Sequence, residues 1–321
     1  MRILVASPID PDALTELRSR HDVVAAFGAP EDELRRLAVD REAIVFRSGV
    51  SISSEVLAAA TGLRLLVRAG SGLDNLDLAQ VKRRGIDLRR VPGPGAQAVA
   101  ELTFGLMISL ARGIALGDRL LRQGHWAKTE LIGYNLTGKT LGIVGLGSIG
   151  SRVAALGLAW GMHPIGCVDH PNPERAAEFA ARGIELTDLD HVLAAADFLT
   201  IHVPLGADTR GLIAAAELAK VKPGAFLVNV ARGGVVDEAA LFAELQPGGR
   251  LRGAGLDVHV NEGEGKISPL AGLPNVVLTP HIGATTVDAQ REIGQEVVAI
   301  IDGSVPATED SGMDHITAER A

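Results

Sequence analysis

Several residue types are scarce in this 321-residue sequence, and each shortage excludes certain kinds of site or classes of protein. Cys167 is the single cysteine, which excludes an internal disulfide and any zinc cluster built on several cysteines. Aromatic residues make up 3% of the chain, too few for the stacking surfaces that bind single-stranded nucleic acid. The sequence contains no run of about twenty uninterrupted apolar residues. We therefore expect no membrane span.

Clustered positive charge is also lacking. The 31 Lys and Arg residues are dispersed among 39 Asp and Glu residues, and the net charge is −8. This balance predicts neither a nucleic-acid partner nor a membrane partner, and an anionic small molecule would need local arginines. The N-terminus, MRILVASPID, enters a strand pattern without an apolar leader, which predicts a soluble protein of the cytoplasm.

Short apolar runs alternate with helical patterns along most of the chain, as in α/β proteins with parallel sheets. The length predicts two domains. Strands are predicted at 1–7, 22–27, 42–48 and 63–70, and in a second series at 140–145, 163–169, 198–205, 225–231, 251–258 and 275–280. The six strands of the second series are enough for a complete dinucleotide-binding fold.

Prolines and glycines interrupt the pattern between the two series. VPGPGAQ, at 91–97, is interpreted as a hinge before one long helix at 98–121. A last helix, at 285–302, could return the chain to the first domain. We therefore predict a discontinuous substrate domain of 1–94 plus 286–321 and a cofactor domain of 95–285. The polar tail, 304–321, is predicted to be loosely ordered.

A glycine fingerprint follows the first strand of the second series. In GLGSIG, Gly145 permits a tight turn, Gly147 lets the backbone approach a diphosphate, and Gly150 allows close helix packing. The amides of Ser148 and Ile149 would face the anion at the start of a helix. The alternative is a glycine-rich turn without a ligand.

An acidic residue ends the next predicted strand, about twenty residues further on. The Asp169 carboxylate can accept hydrogen bonds from the adenosine ribose and would repel a 2′-phosphate. No arginine follows it immediately, although His170 does. The predicted cofactor is therefore NAD. The alternative role of Asp169 is a helix cap or a turn.

Four polar residues stand at the ends of later strands, where ligands collect in open α/β sheets. Arg232 could hold a substrate carboxylate and polarise its carbonyl, and His281 is the candidate general acid/base. Glu262 could orient and stabilise that imidazole, and Asp257 could bind the nicotinamide amide. Taken singly, each could be a surface or strand-end residue. Together they favour hydride transfer involving a hydroxy acid.

The remaining histidines, including His259, lack a comparable pattern and are assigned structural or surface roles. No metal-ligand spacing such as HExxH occurs, so no metal site is predicted.

The motifs GLGSIG, HVPL, NVARGGVVDEAAL, GLDVHVNE and SPLAGLPNVVLTPHIGATT resemble those of the D-isomer-specific 2-hydroxyacid dehydrogenases across nearly the whole chain. The resemblance implies two Rossmann-like or flavodoxin-like parallel-sheet domains with a cleft between them, and a homodimer built on the cofactor domain. It implies an NAD-dependent enzyme acting on a 2-hydroxy or 2-oxo acid, with Arg232, Glu262 and His281 as catalytic residues. It also implies cofactor contacts by Val203, Pro204, Val230 and Asp257, and substrate contacts by Arg47, Arg68, Ser71, Gly72 and Arg232.

Within the family, VFRSGVSIS, LRLLVRAGSGLDNLDLA and HIGATTVDAQREIGQEV are similar to segments of members that oxidise 3-phosphoglycerate. The preferred expectation is therefore oxidation of 3-phosphoglycerate to 3-phosphooxypyruvate with NAD. For such a substrate, Arg47 and Arg68 would bind the phosphate, and Lys128 could add a third cation. The alternative is that these arginines pair with nearby carboxylates.

Departures from that pattern keep other substrates open. Gly95 and Ala96 replace an Asn and a Ser common in that subgroup, and Gly263 replaces the proline that usually follows the glutamate. The chain ends soon after the last helix, so no serine-binding regulatory domain is expected. The alternatives are a glyoxylate or hydroxypyruvate reductase, another 2-oxo acid reductase, and an NAD-sensing corepressor-like binding protein.

Overall fold

The computed structural model describes residues 1–303, which form two compact units. Unit 1 consists of Met1–Gly95 and the segment that begins at Ala284, and unit 2 consists of Ala96–Gly283. The predicted boundaries, 94 and 286, differ from these by one and two residues. The prediction for the tail, 304–321, lies outside the described residues.

Unit 1 contains a five-stranded parallel sheet. Its strands are β1 (Arg2–Val5), β2 (Asp22–Ala25), β3 (Ala43–Phe46), β4 (Leu65–Arg68) and β5 (Asp87–Arg90), in the order β2-β1-β3-β4-β5. This is the flavodoxin-like doubly wound order. β5 was not predicted from the sequence, because three of its four residues are charged and the strand has no apolar run.

Unit 2 contains a seven-stranded parallel sheet. Its strands are β6 (Thr140–Val144), β7 (His163–Cys167), β8 (Glu185–Leu186), β9 (Phe198–Ile201), β10 (Ala225–Asn229), β11 (Leu251–Leu256) and β12 (Val276–Leu278), in the order β12-β11-β10-β9-β6-β7-β8. The six predicted strands are present, and the two-residue β8 is additional. The strand order reverses between β6 and β9, so ligands are expected at the carboxyl ends of this sheet. The predicted α/β fold with two parallel sheets is confirmed.

The helices cover the faces of both sheets. They are α1 (Pro11–Arg20), α2 (Glu31–Ala38), α3 (Ser54–Ala59), α4 (Leu78–Arg84), α5 (Gly93–Arg112), α6 (Ile114–Arg122), α7 (Ser148–Ala159), α8 (Pro173–Ala181), α9 (Leu189–Ala195), α10 (Ala215–Leu218), α11 (Glu238–Glu244) and α12 (Val287–Ile301). In unit 1, Leu17 of α1 and Ile293 and Val297 of α12 share a buried cluster with Ile3 and Val5 of β1. The last helix therefore packs on the sheet of the first unit.

The predicted single helix at 98–121 is wrong at both its start and its middle. Gly93 to Gln97, taken as part of a hinge, already belong to α5, because glycine and proline are tolerated in a first helical turn. Gly113, with a φ of 62°, ends α5 and separates it from α6 by a bend of 61°. Within residues 1–303 no single helix is long and apolar enough to span a membrane, and only this bent pair meets that test, when both helices are counted together.

Candidate active site

The turn from β6 to α7 has the backbone that the glycine fingerprint predicts. Gly145 has a φ of 96°, and a Cβ there would lie 2.8 Å from the carbonyl oxygen of His202. A Cβ on Gly150 would lie 2.0 Å from the carbonyl oxygen of Gly145, so the helix approaches the turn more closely than a side chain allows. Gly147 is exposed, and a Cβ there would meet nothing within 4 Å. Gly147 is therefore the position where a diphosphate could approach the backbone.

The amides of Ser148 and Ile149 lie in the first turn of α7, a 12-residue helix whose N-terminus carries partial positive charge. Beside this turn is a cavity of about 1,060 Å³, whose walls include Gly145, Val203 and Pro204. A cavity of this size at the strand-order reversal is suited to an extended dinucleotide.

The charge of this cavity is negative. Asp169, which follows β7, lines it with Asp188 and Asp208, and none of the described lining residues is Lys or Arg. The Asp169 carboxylate is 92% exposed and lies 3.3 Å from the ring of His170. A 2′-phosphate would meet carboxylates here, so the cavity fits NAD better than NADP. Val230, which follows β10, is 6% exposed and is not one of the residues that line this cavity.

Glu262 and His281 meet directly. The Nδ1 atom of His281 lies 2.8 Å from Oε2 of Glu262, and both side chains are partly exposed. Burial, the largest effect on this carboxyl, raises its pKa. Hydrogen bonds from His281 and from the backbone N–H of His259, together with the charges of these histidines, outweigh burial and hold the pKa of Glu262 below its ordinary value. A carboxylate is thus kept ionised beside the imidazole, where it can accept a hydrogen bond from Nδ1.

The backbone at His281 is unusual. Its φ of 54° lies in the left-handed region, and within residues 1–303 no other non-glycine residue has a positive φ. The N–H of His281 donates to the carbonyl oxygen of Asp257 over 2.7 Å. Such a conformation costs on the order of 1 kcal/mol or more for a side-chain-bearing residue and persists only where its surroundings enforce it.

Asp257 holds the backbone of His281 in this conformation. Its carboxylate, 1% exposed, accepts hydrogen bonds from the Thr279 hydroxyl at 2.6 Å and from the N–H groups of Ile282 and Gly283 at 2.9 and 2.8 Å. Three donors on both sides of His281 therefore converge on one buried carboxylate. Asp257, predicted to bind the nicotinamide amide, therefore also holds the His281 turn.

Arg232 lies in a turn that follows β10. The side chain of Asn229, 2% exposed, donates to the carbonyl oxygen of Arg232 at 3.1 Å and accepts from the N–H of Ala231 at 3.1 Å. The Arg232 guanidinium donates to the carbonyl oxygen of Ala231 at 2.7 Å. A Cβ on Gly233 would lie 1.9 Å from the carbonyl oxygen of His259, so the Arg232 turn is in backbone contact with the segment leading to Glu262.

Asn229 and His259 were not predicted as site residues. The side-chain partners of Asn229 lie only two and three residues away in the chain. The imidazole of His259 contacts Thr279, 20 residues away, which no local pattern reveals. Lys128, the proposed third cation, is exposed in the stretch between α6 and β6 of this unit.

In unit 1, the proposed substrate residues follow neighbouring strands. Arg47 comes directly after β3; its backbone N–H donates to the Ser7 hydroxyl at 3.0 Å, and burial lowers the pKa of its guanidinium. The Asn75 side chain donates to the carbonyl oxygens of Arg47 and Val50, which ties the two strand-end loops together. Ser71 is exposed at the loop after β4.

Arg68, the second predicted phosphate ligand, ends β4. Its side chain is 4% exposed, and Nε donates to the carbonyl oxygen of Gly72 at 2.7 Å. Its guanidinium lies 5.7 Å from the Phe46 ring centre, and a Cβ on Gly70 would contact it. These contacts are with its own strand end and loop and with the neighbouring strand β3.

Comparisons with known proteins agree with this architecture. Residues 104–283 match the family described as D-isomer specific 2-hydroxyacid dehydrogenase, NAD binding domain. A hydroxypyruvate reductase of Thermotoga maritima is 40% identical over 300 residues, covering 92% of this chain and 96% of that protein. A D-3-phosphoglycerate dehydrogenase of Mycobacterium bovis is 40% identical over 295 residues, and the chain covers 55% of its length.

Among solved structures, D-lactate dehydrogenase from Aquifex aeolicus, complexed with NAD and lactic acid, superposes with a TM-score of 0.80 at 28% identity, covering 94% of this chain and 95% of that one. The glycine turn and the acidic cavity fit NAD, the cofactor named for the matching domain. The chain therefore belongs to the D-isomer specific 2-hydroxyacid dehydrogenase family, as an enzyme that uses NAD.

Proposed function

We propose that the enzyme interconverts a short D-2-hydroxy acid and its 2-oxo acid, with Arg232, Glu262 and His281 as the catalytic residues. The observation that carries this proposal is the 2.8 Å contact between Nδ1 of His281 and Oε2 of Glu262. A histidine oriented by a carboxylate is the arrangement a proton carrier needs. Bound NAD would supply the hydride acceptor for the hydroxy acid, and its reduced form the hydride donor for the oxo acid.

The chain's own residues manage the proton and the charge. Because Nδ1 of His281 donates to Glu262, Nε2 is the atom left to exchange a proton with the substrate oxygen. Glu262 stabilises the imidazolium before the proton is given to the oxo acid and after it is taken from the hydroxy acid. Arg232 stays charged throughout, holds the substrate carboxylate and polarises the carbonyl.

Four sets of residues would hold the cofactor. The turn of Gly145, Gly147 and Gly150, with the amides of Ser148 and Ile149, would receive the diphosphate. Asp169 would accept a hydrogen bond from the adenosine ribose. Val203, Pro204 and Val230 would provide apolar walls, and the Asp257 carboxylate, which has an acceptor position beside its three donors, would accept from the nicotinamide amide.

The substrate we favour is an unphosphorylated acid of the hydroxypyruvate and glyoxylate class. Two observations support it: the burial of Arg68, which leaves little of this side chain accessible to a phosphate, and the similarity over nearly full length to a hydroxypyruvate reductase. A second candidate is 3-phosphoglycerate, supported by similarity to the phosphoglycerate dehydrogenases and by the position of Arg47 after β3. Ser71 and Gly72 contact the substrate in either case.

The test is NADH consumption with hydroxypyruvate, glyoxylate and 3-phosphooxypyruvate, and NADH formation with 3-phosphoglycerate. We expect the largest kcat/KM with hydroxypyruvate or glyoxylate. If the phosphorylated acid is preferred, and Arg47→Gln raises KM for it but not for hydroxypyruvate, the second candidate replaces the first. Arg36→Gln, on the exposed side of α2, is the matched control.

A binding protein that senses NAD is the alternative of another class. It predicts NAD binding without turnover of any 2-oxo acid. The dehydrogenase proposal predicts that Arg232→Ala and His281→Ala abolish turnover while the affinity for NAD stays close to that of the wild type.

The enzyme acts as a homodimer assembled through its cofactor unit. Exposed apolar side chains between α6 and β6 support this: Trp126 is 75% exposed and Ile132 83% exposed. Large apolar side chains in water often mark interaction surfaces. Light scattering should give twice the chain mass for the wild type and a single chain mass for a Trp126→Ser, Ile132→Ser double variant.

A further inference from the structure

His259 lies between the proposed catalytic segments. It follows β11 and precedes Glu262, and its backbone N–H donates to Oε1 of Glu262 at 3.1 Å. His281 occupies the other oxygen, Oε2. The two oxygens of Glu262 are thus held from opposite sides, one by the side chain of His281 and one by the backbone of His259.

The imidazole of His259 reaches the segment that carries His281. Its Nε2 lies 3.0 Å from the carbonyl oxygen of Thr279, two residues before His281. A carbonyl oxygen can only accept, so Nε2 carries the proton and the tautomer is fixed. The other nitrogen, Nδ1, is buried and has no hydrogen-bond partner among the described residues. Among the described residues, the ring therefore forms its one hydrogen bond through Nε2, to the segment that leads to His281.

The main chain of His259 also contacts the Arg232 turn. A Cβ on Gly233 would lie 1.9 Å from the carbonyl oxygen of His259 and 2.8 Å from the N of Val260. That N–H of Val260 donates to Glu238, whose side chain is 8% exposed, at 2.8 Å. Residues 259 and 260 are thus fixed in place between the segments of Arg232, Glu262 and His281.

From these contacts we infer that His259 is a positioning residue, whose Nε2–H bond to Thr279 keeps the Glu262 segment in register with the His281 turn. This inference rests on the proposed function. It assigns to His259 a role in the reaction without contact with substrate or cofactor. A simple structural histidine would instead contribute to stability alone.

Two substitutions separate these roles. His259→Gln keeps an amide N–H near the position of Nε2, and His259→Leu keeps the bulk but has no donor. We expect His259→Leu to lower kcat by about 10- to 100-fold, as loss of a residue that orients a ligand does elsewhere. The affinity for NADH, measured by calorimetry, should stay unchanged, and His259→Gln should recover much of kcat. His191→Leu, at an exposed position on α9, is the matched control and should behave as the wild type.

The pH dependence gives a second measurement. When the Glu262 to His281 bond loosens, one of the hydrogen bonds that lower the pKa of Glu262 weakens while burial still raises it, so this pKa should rise. The acid limb of the kcat/KM profile should then move to higher pH in His259→Leu and return toward the wild type in His259→Gln. Titration of the Glu262 carboxyl by ¹³C NMR, assigned with Glu262→Gln, measures the same change without any turnover.

The results overturn the inference if His259→Leu lowers only the melting temperature and leaves kcat and the carboxyl titration unchanged. They also overturn it if His259→Gln is as impaired as His259→Leu. If the proposed function is wrong, the wild type turns over no 2-oxo acid. The NMR titration would still test the contact between His259 and the Glu262 segment, because it needs no turnover.

Discussion

The carboxylate of Glu262 and the imidazole of His281 lie 2.8 Å apart although 19 residues separate them in the chain. Each comes from the loop after a different strand, β11 or β12, and these strands are neighbours in the sheet. A parallel sheet brings the carboxyl ends of successive strands to one edge. The contact is thus a direct product of strand order.

Replacing Glu262 by Gln tests the contact. The amide keeps the shape but cannot stabilise the imidazolium, so we expect kcat to fall about 100-fold, with a smaller change in KM. Steady-state kinetics with the preferred 2-oxo acid measures this. Glu264→Gln, an exposed neighbour, is the control and should retain full activity. Unchanged kcat in Glu262→Gln would remove Glu262 from the catalytic residues.

The Glu262 carboxyl should also make the stability of the fold depend on pH in the acid range. Because the folded state lowers its pKa, Glu262 stabilises the fold above the ordinary pKa of a glutamate, and this contribution is lost as the pH falls through the lowered value. Melting temperatures measured between about pH 5 and pH 3 should therefore fall more steeply for the wild type than for Glu262→Gln. Parallel curves would mean that the bond does not contribute to stability.

Two alanine substitutions in the glycine turn should have different effects. Gly150→Ala places a methyl group 2.0 Å from the Gly145 carbonyl oxygen, and the overpacking should lower the melting temperature by about 5 °C. Gly147→Ala meets nothing within 4 Å at an ordinary φ of −78°, so the fold should be retained. Its methyl group should instead weaken NAD binding about 10-fold or more. Calorimetric Kd values and melting curves, measured together, check both expectations.

Removing the Asp257 carboxylate should disturb the His281 turn. Asp257→Ala leaves a hydroxyl and two N–H groups without their buried acceptor, at a cost of about 1–3 kcal/mol each where water cannot replace it. We expect lower stability and a large loss of kcat, whereas Asp257→Asn, which keeps one oxygen, should be less impaired. Urea unfolding measures the first effect. Weaker NAD binding with unchanged stability would instead make the cofactor contact the main role.

Cofactor preference should depend on Asp169. Asp169→Ala removes the carboxylate that would face a 2′-phosphate, so the ratio of Kd values for NADP and NAD should fall about 10-fold or more. Asp188 and Asp208 remain in the same cavity, so the preference should weaken without reversing. Asp190→Ala, on the exposed side of α9, is the control. An unchanged ratio would show that other groups exclude the phosphate.

The sequence predicted those parts of the fold and site that depend on local chemistry. The predicted strands of both sheets are apolar runs, and the glycines of the cofactor turn are needed for its backbone conformation and close contacts. The charged β5, the two-residue β8 and the break at Gly113 carry no such pattern. Asn229 bonds within its own turn and lies in the motif NVARGGVVDEAAL, but no local pattern predicts that its side chain holds this turn. The role of His259 could not be predicted either, because strand order brings Thr279, 20 residues away, to its ring. The burial of Arg68 likewise depends on how its loop folds over it.

The left-handed backbone at His281 places stability and activity in opposition at one position. Glycine adopts a φ of 54° at no steric cost, so His281→Gly should relieve strain in the fold while removing the imidazole. A programme that selected variants of this chain for thermal resistance alone would therefore tend to discard the histidine first. Screens for a more robust enzyme need turnover as a selection condition at this residue.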